Sequence, residues 1–194
     1  MSDEFKDFES FRHGLVVSKI WLCEELEKVF SKLDYKNPTV HTLASWNNML
    51  SFMMIVRKPN YYKEFFGYDI DENAIAIAKK ICDTWMFESP NVTNSIKNIN
   101  DNEYIIGDEL VFINTSVDQI DGTIWYDKIP KGSLVCLQTT DLDIVEHPWY
   151  IKTITKTEDQ FKEKFPMSNL LFLNTKNINY SSWGYNRLMM IGVK

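Results

Sequence analysis

The sequence predicts an α/β domain, doubly wound, whose mostly parallel sheet carries helices on both faces and closes on an antiparallel C-terminal pair of strands. Three observations predict it. Short apolar or aromatic runs alternate with helical patterns through the first two thirds of the chain, which is the signature of βαβ units. The run Glu64-Phe-Phe-Gly-Tyr-Asp69 ends in an acid and passes at once into a helical pattern of Ala74, Ile75, Ala78 and Cys82, with Asp71 placed to cap it and Glu72 in its first turn. Two apolar runs at the end of the chain, residues 169–173 and 187–193, are separated by a short Asn/Ser-rich loop.

The elements follow in order. Residues 1–12 are polar except for Phe5, Phe8 and Phe11, whose spacing suits a short amphipathic turn. Leu15-Val-Val17 reads as extended. Over residues 18–33 the positions Ile20, Trp21, Leu22, Leu26, Val29, Phe30 and Leu33 form a broad helical stripe, with Glu24, Glu25, Glu27 and Lys28 opposite. Asn37-Pro38 punctuates the chain, Thr39-Val-His-Thr-Leu43 reads as the first strand, residues 44–48 as a turn and 49–57 as a helix. After the acid-ended strand and its helix, residues 91–96 supply a short third strand. Residues 109–114 form an apolar fourth strand opening onto the polar tip Asn114-Thr-Ser116. A strand over 133–138 and a helix opened by Thr157 complete the pattern. The whole reads as a single domain, with a helical segment over 1–36 and a sheet core over 37–194.

Composition narrows the function. A chain of 194 residues with 44% hydrophobic and 14% aromatic residues buries a core, so disorder is excluded. The formal charge of −6 repels a phosphate backbone, which disfavours nucleic acid as a partner and leaves a small molecule or a protein as substrate. Three widely spaced cysteines, Cys23, Cys82 and Cys136, fit reduced thiols, and the acidic N-terminus is no secretory signal. No apolar run reaches the length of a membrane span. The expected location is the cytoplasm, or a host's cytoplasm for a phage protein. His13, His41 and His147 have neither metal-ligand spacing nor a triad arrangement. The aromatic groups Tyr61-Tyr62 and Trp183-Gly-Tyr185 would line an acceptor pocket or a homo-oligomer contact.

In open parallel sheets ligands bind beyond the carboxyl ends of the strands, and an acid there commonly takes the hydroxyls of a nucleotide ribose. Asp69 is the ribose candidate. Gly67-Tyr-Asp-Ile-Asp71 followed by Ala74-Ile-Ala-Ile-Ala78 resembles the second strand and following helix of class I S-adenosylmethionine (SAM) dependent methyltransferases. Thr42-Leu-Ala-Ser-Trp46 resembles the family's first turn, with Thr42 where some relatives carry an acid and Ala44 where they carry glycine. Asn114-Thr-Ser116, Trp125-Tyr-Asp-Lys-Ile-Pro-Lys-Gly132 and the strand from Ser133 resemble a small methyltransferase-like group found among bacterial and phage sequences. In that group a Glu-His pair follows the Asn-Thr-Ser, against Asp118-Gln119 in this chain.

The resemblance spans residues 15–194. It implies a Rossmann-like sheet of seven strands, SAM as cofactor, S-adenosylhomocysteine as product, and transfer of the methyl group to a small-molecule or protein acceptor. It further implies cofactor contacts from Ala44, Ser45 and Trp46 after the first strand, Asp69 and Ile70 after the second, Asn94, Ser95 and Ile96 at the third, with Asp101 as the alternative register, and Asn114 and Thr115 at the fourth. Methyl transfer from a sulfonium is an in-line displacement that needs near-attack geometry above all, and a polar group beside the methyl orients the acceptor or takes its proton. Asn114, Ser116 and Asp118 are placed for that work. Two other readings remain open: a binding or assembly protein that kept the fold and lost the donor site, for which Thr42, Ala44 and Gln119 speak, and another nucleotide-using enzyme, which the absence of Gly-x-Gly-x-x-Gly after the first strand disfavours.

Overall fold

The computed structural model describes residues 12–85, 90–101, 103–104, 108–143, 151–180 and 183–194. Its strands are β1 (Thr39–Leu43), β2 (Glu64–Asp69), β3 (Asn91–Ile96), β4 (Leu110–Asn114), β5 (Leu134–Thr140), β6 (Asn169–Asn179) and β7 (Gly184–Val193). They form one seven-stranded sheet in the order β3-β2-β1-β4-β5-β7-β6. β1 to β5 are mutually parallel, and β7 runs antiparallel to both β5 and β6, as the doubly wound reading requires.

The helices are α1 (His13–Leu33), α2 (Met49–Arg57), α3 (Glu72–Trp85), α4 (Ile124–Asp127) and α5 (Glu158–Lys164), with a 3-10 turn over Val117–Gln119. Burial on the two faces follows the alternation of the strands. On one face Trp21, Leu22, Leu26 and Phe30 of α1 and Leu50, Met54 and Ile55 of α2 pack on Val40, Phe65, Val111, Ile113, Cys136 and Met189. On the other, Trp125 and Tyr126 of α4 and Phe161 and Phe165 around α5 pack on Phe112, Val135, Leu137, Leu188 and Met190. β1, β4 and β5 are buried along their whole length, and β4 and the first four residues of β5 accordingly read in the sequence as continuous apolar runs. Local capping agrees with the pattern: Asp71 Oδ1 accepts from the amides of Asn73 and Ala74, and Thr157 Oγ1 accepts from Gln160 N.

Three expectations change. Leu15, Val16 and Val17 are helical, because the amides of Leu15 and Val16 bond to the Arg12 carbonyl and start α1 at His13. β4 begins at Leu110, since Glu109 turns into the left-handed region with φ 50° and its carboxylate accepts from the amides of Lys36 and Asn37. β6 runs on to Asn179, because its polar half 174–179 pairs with β7 at the sheet edge and needs no buried face. The aromatic spacing of Phe5, Phe8 and Phe11 and the position of His147 lie outside the described residues. Among the described residues, no helix is long and apolar enough to cross a membrane.

Candidate functional site

The chain leaves β1 toward β2 and leaves β4 toward β5, so the crossovers diverge between β1 and β4. A cleft opens there, at the carboxyl ends of the strands. Its lining comes from the turn 42–48 and Leu50, from Ile113, Thr115, Ser116 and Gln119 at the β4 end, from Leu15 and Lys19 of α1, and from Arg187 of β7.

The turn after β1 holds no glycine, yet Ala44, Trp46 and Asn48 all have left-handed φ, at 48°, 49° and 52°. Such geometry costs roughly 1 kcal/mol or more for each residue with a Cβ. Local bonds offset the cost. The amide of Ser45 donates to the Tyr68 carbonyl at 2.9 Å, that of Asn48 to the Ser45 carbonyl at 2.8 Å, and that of Trp46 to Asp69 Oδ2 at 2.7 Å. Asn48 Oδ1 accepts from Thr42 Oγ1 at 3.0 Å and Ser51 Oγ at 2.6 Å, while its Nδ2 donates to Asn94 Oδ1 at 2.8 Å. This amide bridge from the turn to β3 crosses β2 at Gly67, where a Cβ would lie 2.6 Å from Asn48 Nδ2 and closer still to Asn94 Oδ1. Gly67 is therefore needed for room, and Thr42 anchors the turn instead of offering the acid some relatives carry.

The residues read from the sequence fall into two groups. Ala44, Ser45, Trp46, Thr115 and Ser116 line the cleft. Asp69, Ile70, Asn94, Ser95, Ile96, Asn114 and Asp118 do not. Asp69 adjoins the cleft through the Trp46 amide, and its Oδ1 accepts from Asp71 N at 3.0 Å. Ile70 and Ile96 are exposed. Asn94 is turned inward, between Asn48 and Cys82 Sγ. Asp101 lies in the loop after β3, its amide bonded to the Asn98 carbonyl.

At the β4 tip, Asn114 is fully buried; its Oδ1 accepts from Ser116 N at 2.9 Å and its Nδ2 has no partner. Asp118 is also buried. Its Oδ2 accepts from Thr140 Oγ1 at 2.6 Å, its carbonyl accepts from the amides of Lys152 and Thr153, and its Oδ1 has no partner. Burial pushes its carboxyl pKa up, and the Arg187 guanidinium opposes that shift. Arg187 is only 4% exposed. Its Nη2 donates to the Thr115 carbonyl and reaches Gln138 Oε1 at 3.5 Å, whereas its Nε has no partner. Burial, and then the field of Arg187, lowers Lys19 to about 8.

No family model and no curated relative matches this chain in sequence. Solved structures do match in fold. Magnesium protoporphyrin IX methyltransferase (ChlM) from Synechocystis PCC 6803 with bound SAM superposes with a TM-score of 0.65 at 10% identity, over 98% of this chain and 92% of that one. The chain has the class I methyltransferase fold. The PH0226 protein from Pyrococcus horikoshii OT3 matches over 100% of both chains, with a TM-score of 0.63 at 14% identity. TrmK of M. capricolum in complex with S-adenosylhomocysteine matches with a TM-score of 0.53 at 10% identity, over 89% of this chain and 66% of that one. Within this methyltransferase fold the sequence reading missed Lys19 and Arg187. A signal existed for both. Lys19 interrupts the apolar face that Leu15, Leu22 and Leu26 share on α1, and Arg187 opens an otherwise apolar run.

Proposed function

We propose that this protein is a SAM-dependent methyltransferase acting on a small molecule or a protein side chain. The observation that carries the reading is the placement of the cleft: it lies at the divergence of the crossovers and joins the turn 44–48 to the Thr115-Ser116 tip, where a bound donor and its acceptor would meet. The residues present suit the cofactor. Ser45 Oγ and Asn114 Nδ2 are buried without partners on the two sides of the switch point, and Ala44 keeps the backbone of the turn approachable. SAM would supply an electrophilic methyl group. The chain's own residues do the rest. Trp46 and the backbone of 44–48 wall the donor in, and Asp69 takes the ribose hydroxyls at the edge of the turn. Ile70, Asn94, Ser95 and Ile96 stand on the adenine side, of which Ile70 and Ile96 offer exposed apolar surface. Thr115 and Asn114 hold the donor from the β4 side, while Ser116 orients the acceptor. Asp118, buried behind the tip, positions Thr140 and the segment at Lys152 rather than touching the methyl. Water exclusion and alignment, with no covalent intermediate on the protein, make up the catalytic contribution.

One observation favours a second reading, a binding protein without transferase activity: Asp69 and the Trp46 amide, two groups a donor would use, are bonded to each other. Calorimetric titration with SAM and with S-adenosylhomocysteine separates the two. Micromolar binding that is lost in Asp69→Ala supports the enzyme. Absence of heat and of thermal shift at millimolar ligand overturns it.

A further inference from the structure

The cleft is more cationic than the protein around it. The chain as a whole carries −6, yet the cleft lining includes Lys19 and Arg187 and not one Asp or Glu. Among the described residues, neither cation takes part in a salt bridge. Arg187 is nearly inaccessible, held by the Thr115 carbonyl and by Gln138 across β5, and its Nε is buried without an acceptor. Asp118, the nearby carboxylate, is turned to Thr140 and does not pair with Arg187. A buried guanidinium with a spare donor next to a crowded ammonium costs folding free energy unless an anion completes it. Both cations come from α1 and β7, and Arg187 is tied to the β4 end of the cleft through the Thr115 carbonyl, whereas the donor is assigned to the turn 44–48 after β1.

We infer that Lys19 and Arg187 bind an oxyanion, a carboxylate or phosphate, carried by the methyl acceptor. The guanidinium offers its cleft-facing edge, the ammonium offers a second positive charge, and Ser116 and Gln119 supply neutral polar neighbours. The depth of Arg187 restricts the acceptor to a slender molecule that can place its anion past the cleft mouth, which selects a small anionic metabolite over a folded protein. The acceptor assignment rests on the methyltransferase reading, and the anion site itself does not.

The test titrates malonate and inorganic phosphate into the protein at constant ionic strength, with chloride as the control anion and malonamide as the neutral isostere. Calorimetry and thermal shift are read with and without saturating S-adenosylhomocysteine. Millimolar binding of an oxyanion to the S-adenosylhomocysteine-loaded protein is expected, with none for malonamide, and Lys19→Met and Arg187→Gln should each weaken it at least tenfold. Lys19→Met carries the test even if Arg187→Gln does not fold, because it removes a cation and opens no core. Oxyanion binding that is unchanged in Lys19→Met, or absent altogether, while S-adenosylhomocysteine still binds, overturns this inference alone. Oxyanions that compete with S-adenosylhomocysteine also overturn it, since the cations would then serve the donor's own carboxylate. If oxyanions bind through Lys19 and Arg187 but S-adenosylhomocysteine never binds, the methyltransferase reading falls and takes the acceptor assignment with it.

Discussion

The two sides of the switch point differ in how completely their polar groups are satisfied. On the β1–β2–β3 side, Thr42, Asn48, Ser51 and Asn94 bond to one another, and Asp69 to the turn, so that a glycine-free loop is held in a conformation glycine would adopt freely. On the β4–β5–β7 side, Asn114 Nδ2, Asp118 Oδ1, Thr139 Oγ1 and Arg187 Nε are all buried without partners, and Lys19 has no salt bridge. Buried polar groups in folded proteins are nearly all bonded, so such atoms are completed by ordered water or by a ligand. On the anion-site proposal, the difference separates a preformed wall, built by the chain for itself, from a surface that a ligand would finish. Ser45 Oγ and His41 Nε2 are the exceptions on the satisfied side.

His41 offers the largest way to break that side. It is fully buried in β1, in a stack with Phe66, Tyr68 and Phe112, and bonded through Nδ1 to Tyr68 Oη. Burial lowers its pKa to about 4. The unfolded chain takes up a proton near pH 6.5 while the folded one stays neutral, so the stabilisation is whole above that pH and is lost as pH falls toward 4. The full window amounts to about 3 kcal/mol. Urea unfolding between pH 7 and 4.5 should show the decline, and His41→Leu should flatten the slope whatever its stability at neutral pH. An unchanged slope would place the acid sensitivity elsewhere.

Next in size is Gly67→Ala. The added methyl occupies the path of the Asn48–Asn94 bridge, so the variant should lose about 2–3 kcal/mol through overpacking and orphaned amides, lowering Tm by roughly 5–10 °C. Donor affinity should fall with it, because the turn 44–48 loses its tie to β3. A stable variant with intact affinity would mean the bridge does not hold the turn. Asp69→Ala follows, with a loss of roughly 30-fold in S-adenosylhomocysteine affinity from two charge-assisted bonds and a smaller change in Tm.

The fold was legible because its strongest signals are local. β1, α2, β2 and β3 began and ended where apolar runs and an acid-ended strand placed them, and the reversal of β7 followed from two runs joined by a short loop. The polar half of β6 was not legible, since an edge strand has no hydrophobic face to write into the sequence. Of the cleft lining, Ala44, Ser45, Trp46, Thr115 and Ser116 could be read, because topology opens clefts at strand ends. The Trp46–Asp69 bond could not, as it goes with left-handed φ at Ala44 and Trp46, residues of kinds that rarely adopt that conformation. Lys19 left only a faint signal: one cation in a helical stripe reads as a solvated edge, and Arg187, which lines the same cleft, comes from a strand 168 positions later.

The smallest effect sharpens the unsatisfied side. With a folded pKa near 8 against 10.5 in the unfolded chain, Lys19 costs stability wherever both states are protonated, that is below about pH 8, and the cost fades as pH rises toward 10.5. The Lys19 side chain is only partly buried at the cleft wall, and solvent screening there reduces the penalty to about 1 kcal/mol. Lys19→Met should therefore raise Tm at pH 7 by roughly 2–4 °C, and the gain should vanish near pH 10.5. Phosphate or malonate should erase the difference from the other direction, by stabilising the wild type and leaving the variant unmoved. A destabilised Lys19→Met would mean that the ammonium is already compensated within the chain, and the two sides of the switch point would then be alike.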